Sequence, residues 1–142
     1  GVFEALDREC LRAEELDRNL SVMLCDVEGY AETAGTPDAD AFVSALAEVT
    51  LAGVGTFDLV GRIGSNEFVI IMPERDAIET RAMVESLCSA VELLEYNGHP
   101  VQLAYGIAHF QGGSADAFLQ AADQALFEFK REAKVCEASI AG

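Results

Sequence analysis

The sequence predicts an α/β sandwich in which helices cover both faces of a central mixed, mostly antiparallel sheet. Apolar residues recur at helical spacing in four separate segments. Between them lie two short, nearly continuous apolar runs and one paired run of β-formers around a polar turn. The resulting order, helix–strand–helix–hairpin–helix–strand–helix, suits one layered domain. We expect one domain over residues 1–142, long enough to bury about 70% of its unfolded surface. It begins directly in helix-like sequence, as expected of a piece excised from a larger multidomain protein.

Val2–Asn19 places Phe3, Leu6, Cys10 and Ala13 on one helical face. Leu20–Asp26 is an apolar run ending in a carboxylate, a central strand. Gly29–Gly35 is a loop, and Thr36-Pro37-Asp38 supplies an N-cap, a first-turn proline and a first-turn acid. The helix that follows runs to about Leu51, with Phe42, Val43, Leu46, Ala47 and Thr50 on one face. Leu59–Ile63 and Phe68–Met72 flank a tight turn carrying Gly64, Ser65, Asn66 and Glu67, the signal of a β-hairpin. Asp76-Ala77-Ile78-Glu79 has capping-box spacing and opens a helix expected to bury Ile78, Ala82, Leu87, Val91 and Leu94. Tyr96-Asn97-Gly98 is a turn, and Val101–Phe110 a strand alternating around Leu103, Tyr105 and Ile107. Ser114 caps a last helix carrying Phe118, Ala121, Ala122, Ala125, Leu126 and Phe129, and a weak strand near Val135–Ile140 closes the chain.

The formal charge of −16, from 25 acids against nine lysines and arginines, argues against nucleic acid and against direct contact with anionic membranes. No apolar run approaches the roughly 18 residues of a membrane span. Cys10, Cys25, Cys88 and Cys136 lack metal-ligand spacing and read as free thiols in a reducing cytoplasm. His99 and His109 read as surface residues. Lys130, Arg131 and Lys134 form the one basic cluster, either a solvated helix end or a local phosphate site.

Asp26, ending a buried strand and followed by Glu28, can face a carboxylate on the adjacent hairpin turn. In this sheet Asp26 and Glu67 become neighbours, a hard-oxygen arrangement suited to Mg²⁺. Asp26 and Glu28 read equally well as the start of a polar loop, and Glu67 as an exposed strand residue.

The turn Gly64-Ser65-Asn66-Glu67-Phe68 resembles the signature loop of the GGDEF family, the diguanylate cyclases. Cys25-Asp26-Val27-Glu28-Gly29-Tyr30 resembles the family's D-x-D-x-F segment. Leu103–Ala108 resembles its S-x-G-x-A strand, and Ala121–Lys130 its A-D-x-A-L-Y-x-A-K helix. More distantly, the first of these is similar to class III nucleotide cyclases. The resemblance implies the family fold and a site for two GTP molecules, condensed to cyclic-di-GMP by an antiparallel dimer. Asp26 and Glu67 would be metal ligands there, Glu67 also the catalytic candidate. Asp40 would read guanine, although a first-turn helix acid is its plainer reading. Lys130 and Lys134 would hold phosphates, and Asp58 would belong to the inhibitory product site.

The departures point away from catalysis. Asn66, an amide, stands where the family has a metal-binding carboxylate, and Ser65 replaces a glycine that lets the backbone approach the nucleotide. Ala31 stands in place of a phosphate-binding lysine, and Ala34 near the guanine-reading Asn. Gly55 replaces the arginine of R-x-x-D before Asp58, and glycine cannot supply a guanidinium fork. The expectation is a degenerate, non-catalytic regulatory, signal-transmission or dimerisation domain of a bacterial cyclic-di-GMP signalling protein. Its partners would be other domains of the same chain, such as EAL or sensor modules, and a homodimer and GTP remain open. An active or residual cyclase, or a GTP-binding sensor without turnover, is the alternative. No cofactor is expected, with Mg²⁺ only if nucleotide binding is retained.

Overall fold

The computed structural model describes residues 1–28, 37–64, 66–96 and 98–141, and their side chains except at 37–40, 96, 99, 100 and 135–141. The elements run α1 (Val2–Leu16), β1 (Leu20–Glu28), α2 (Pro37–Gly53), β2 (Leu59–Arg62), β3 (Glu67–Pro73), α3 (Ala77–Glu92), β4 (Glu95–Tyr96), β5 (His99–Pro100), β6 (Gln102–His109) and α4 (Ala115–Ala141). The main sheet has the order β2-β3-β1-β6. Its three pairings are antiparallel, so the mixed character expected of it reduces to its antiparallel part. β4 and β5 form a separate two-residue ladder around the expected turn, where Gly98 takes φ +78°.

Strand alternation divides the core in two. Leu20, Val22 and Leu24 of β1, with Val69 and Ile71 of β3, pack on Leu6, Cys10, Phe118, Ala122 and Leu126 of α1 and α4. Met23, Cys25 and Val27, with Phe68, Ile70 and Met72, pack on Phe42, Met83, Val84, Leu87 and Val91 of α2 and α3. β1 is buried on both faces, which explains its continuous apolar run.

The first expectation to be corrected is the buried face of α3. Its capping box is present, with Asp76 accepting from the Glu79 amide at 2.8 Å, but its buried residues are Thr80, Met83, Val84, Leu87 and Val91. Ile78 is 81% exposed, and Ala82 also faces out. Thr80 turns inward because its hydroxyl bonds the Asp76 carbonyl at 2.8 Å and Ser21 Oγ at 3.4 Å. The satisfied hydroxyl makes its burial acceptable and rotates the inward stripe past Ile78. Leu94 is only partly buried.

The expected strand at Val135–Ile140 is also corrected, since α4 continues through Ala141. Alanine and glutamate favour helix, and no glycine or proline interrupts the segment before Gly142. Within α4, Ala121 faces out whereas Phe118, Ala122 and Leu126 are buried. The Ser114 cap is present, accepting from the Ala117 amide at 3.1 Å.

One glycine fixes how closely α4 lies on the sheet. A Cβ at Gly106 would collide with the Ala122 carbonyl oxygen and the Leu126 amide nitrogen, so the helix backbone rests directly on β6. Gly106 pairs with Leu24, and Ala104 with Asp26. Ala122, Leu126 and Lys130 are spaced by four and share one helical face. Close docking at Gly106 therefore carries Lys130 over the end of β1.

Candidate functional site

Asp26 shares the α4-facing side of β1 with Val22 and Leu24, and its register partner on β3 is Glu67. The strand-end pairing expected from the sequence is therefore present. By alternation Glu28 and Glu67 also belong to the α4 side of the sheet. Asp26 is 8% exposed, whereas Glu28 and Glu67 are exposed.

Lys130 occupies the space between these acids. Its Nζ donates to Asp26 Oδ2 and stands 3.7 Å from Glu28 Oε1. The hydrogen bond to Asp26 raises the Lys130 pKa against the opposing effect of burial, and the charges of Asp26, Glu28 and Glu67 add to the rise. The side chain is thus held as an ammonium. In the adjacent turn, the Asn66 carbonyl accepts from the Val27 amide at 2.9 Å. The Asn66 side chain donates from Nδ2 to the Val27 carbonyl at 3.2 Å.

These contacts test the fit of a divalent cation. Mg²⁺ asks for several oxygen ligands in near-octahedral array. The buried Asp26 carboxylate is bonded to Lys130, the Val27 carbonyl to an amide nitrogen, and position 66 contributes a donor group. No group of three His, Cys, Asp or Glu side chains among the described residues is arranged to hold a metal ion. As arranged, the residues do not fit Mg²⁺, and no chemical step is routed through it.

Two crevices flank the site. One, of about 660 Å³, is lined by Lys130 and Lys134 together with Glu28, Glu92 and Gln102, so the structure brings both predicted phosphate-binding lysines to one cleft. The other, of about 380 Å³, is lined by Asp26, Glu67, Asp116 and Asp123 and is hostile to phosphate. Phe68 packs in the core beneath the turn, and Gly64 closes it by donating to the Glu67 carbonyl at 3.2 Å. Ala31, Ala34 and Ser65 lie outside the described residues. The backbone of Asp40 lies in the first turn of α2, and its side chain is outside the described set.

The second retained carboxylate, Asp58, has an arginine that the sequence reading missed. Arg75 places Nη2 at 2.8 Å from Oδ2 and Nε at 3.4 Å from Oδ1, and the Gly55 amide donates to Oδ2 at 2.6 Å. A Cβ at position 55 would lie 2.6 Å from Arg75 Nη2. The glycine that breaks the R-x-x-D pattern therefore leaves room for a guanidinium arriving from elsewhere. The reading also missed the pair Ser21 Oγ–His109 Nδ1 at 2.8 Å, because 88 positions separate the two residues.

The antiparallel sheet, the two helical layers and the Asp26–Glu67 hairpin corner define the architecture of a nucleotide-cyclase-like domain. The family profile described as "Diguanylate cyclase, GGDEF domain" matches residues 1–135, and the chain belongs to the GGDEF family. It is 31% identical over 136 residues to diguanylate cyclase DosC of Escherichia coli K12, covering 89% of this chain but 30% of that protein. Diguanylate cyclase DgcP of Pseudomonas aeruginosa is 25% identical, with coverage of 92% and 21%. The chain thus spans less than a third of the length of these relatives. Among solved structures, the GGDEF domain of DgcB from Caulobacter crescentus, in complex with c-di-GMP, superposes with a TM-score of 0.82 at 24% identity, covering 91% of this chain and 82% of that one. The active GGEEF domain of a Vibrio cholerae diguanylate cyclase gives 0.82 at 18% identity, with coverage of 92% and 88%. No helix among the described residues is long and apolar enough to cross a membrane.

Proposed function

We propose that residues 1–142 form a single non-catalytic GGDEF domain that acts as a regulatory, signal-transmitting or dimerisation module within a larger cytoplasmic cyclic-di-GMP signalling protein. The observation that carries this reading is Asn66. The turn position where a cyclase needs a metal-binding carboxylate holds an amide, and that amide is turned back onto the Val27 carbonyl. Ser65, Ala31, Ala34 and Gly55 support the same conclusion from the sequence. At the inhibitory position, Arg75 uses its fork on Asp58, which leaves less of it for a product phosphate. Other domains of the same chain, EAL or sensor modules among them, are the proposed partners, and no cofactor is required. Incubation with GTP and Mg²⁺ or Mn²⁺, followed by nucleotide chromatography, tests the reading. No cyclic-di-GMP is expected, and product that disappears in Asp26→Ala overturns it.

A second reading, nucleotide binding without turnover or with residual turnover, is favoured by one observation: Lys130 and Lys134 line the same crevice. Calorimetric titration with GTP plus Mg²⁺ tests it. Without the guanine-reading Asn, binding at this cleft is expected to be equal for ATP and GTP. A strong GTP preference contradicts that expectation, and no heat at millimolar nucleotide removes the second reading.

A further inference from the structure

We propose that Lys130 is a built-in replacement for a divalent cation: its ammonium bonds Asp26 Oδ2 and the Asn66 amide bonds the Val27 carbonyl, so that the one buried charge at the end of β1 is balanced and the corner folds without metal. The inference deepens the non-catalytic reading by naming what holds the carboxylates in place of a metal.

Charge and burial make a single ammonium sufficient. Of the three carboxylates at the corner only Asp26 is buried, at 8% exposure, while Glu28 and Glu67 keep their hydration. One buried negative charge needs one positive charge with good hydrogen-bond geometry. A carboxylate at position 66 would add a further negative charge beside Asp26, and one ammonium would no longer balance the corner. The neutral Asn66 and the inward Lys130 are therefore two halves of one arrangement. The amide also supplies the donor that the Val27 carbonyl needs.

The lysine is delivered by a rigid element. Leu126 and Ala122, one and two turns before it, are buried against the sheet, and Gly106 holds the helix backbone at closest approach. No fully buried side-chain nitrogen or oxygen among the described residues lacks a hydrogen-bond partner.

The test is the melting temperature of the chain in EDTA and in millimolar Mg²⁺ or Mn²⁺, at constant ionic strength and without nucleotide. Wild type is expected to melt at the same temperature in both. Lys130→Gln is expected to melt about 3–6 °C lower in EDTA and to recover at least half of that loss on adding Mg²⁺. The recovery should vanish when Asp26→Asn is added. Lys130→Arg, which keeps the charge, should remain indifferent to metal. A wild-type rise as large as that of Lys130→Gln overturns the proposal. So does a Lys130→Gln variant that ignores metal, or an equal response in Lys130→Arg. The readout involves no GTP, so it fails independently of the turnover assay. Metal stabilisation of wild type without cyclic-di-GMP would sink this inference and leave the non-catalytic reading standing, and product without metal stabilisation would do the reverse.

Discussion

Two of the carboxylates that match the family pattern, Asp26 and Asp58, are each held by a cation from the chain itself. At Asp58 the carboxylate side chain is 2% exposed and Arg75 is 25% exposed, and both carboxylate oxygens face the guanidinium. At Asp26 the carboxylate side chain is 12% exposed, and the lysine reaching it is 39% exposed and bonds one oxygen. The first is a closed fork that fixes the Gly55–Asp58 turn. The second is a single tethered charge at the mouth of a crevice. A carboxylate at a position of the family pattern can thus be enclosed by a guanidinium fork, as at Asp58, or be paired with one tethered ammonium beside a crevice, as at Asp26.

Breaking the closed pair should cost the most. Arg75→Ala leaves Asp58 buried without its partner, and we expect a loss of about 2–4 kcal/mol, read as a lower urea midpoint at unchanged m-value. A loss below about 1 kcal/mol would mean that Asp58 finds water or another donor, and the contrast between the two sites would fall. Lys130→Gln in the absence of metal should cost less, about 1 kcal/mol, because the open pair is partly solvated.

Alkaline titration sharpens the same comparison, because lysine can lose its proton and arginine does not. The folded pKa of Lys130 is raised, so its contribution is complete below the unfolded value of about 10.4 and is lost as pH rises through the folded value. The thiols of Cys10 and Cys88 are pushed up from 9.0 to about 11, by burial first and by neighbouring acids second. Their proton is therefore held more tightly in the folded chain, and stability due to them falls between pH 9 and 11. Burial likewise raises the Cys25 thiol and the Tyr105 phenol. In a Cys10→Ala/Cys25→Ala/Cys88→Ala/Tyr105→Phe background the loss above about pH 10.4 should therefore shrink with Lys130→Gln and persist in Arg75→Ala. Persistence in both variants would assign it to another group.

Much of this was legible in the sequence because it is local. The β2–β3 turn, the Asp76 capping box and the Ser114 cap each depend on residues a few positions apart, and the Asp26–Glu67 pairing follows once the strand order is known. What was not legible depends on distance in the chain. The bond from Lys130 to Asp26 spans 104 positions. Arg75 lies 17 positions from Asp58, outside any R-x-x-D spacing. Thr80 is buried although polar, and of its two partners Asp76 is four positions away but Ser21 is 59. The end of α4 was misread because Val135 and Ile140 weigh towards strand, while the residues around them favour helix.

The central claim is that catalytic groups are missing at several positions at once, with Asp26 and Asp58 bonded to internal cations. The most direct test is to assay the wild type beside the double reversion Ser65→Gly with Asn66→Asp for cyclic-di-GMP from GTP and Mn²⁺. Neither protein is expected to form product, since Ala31 remains and Lys130 still holds Asp26. Product from the reversion would confine the loss to one turn, and product from the wild type would contradict the account outright.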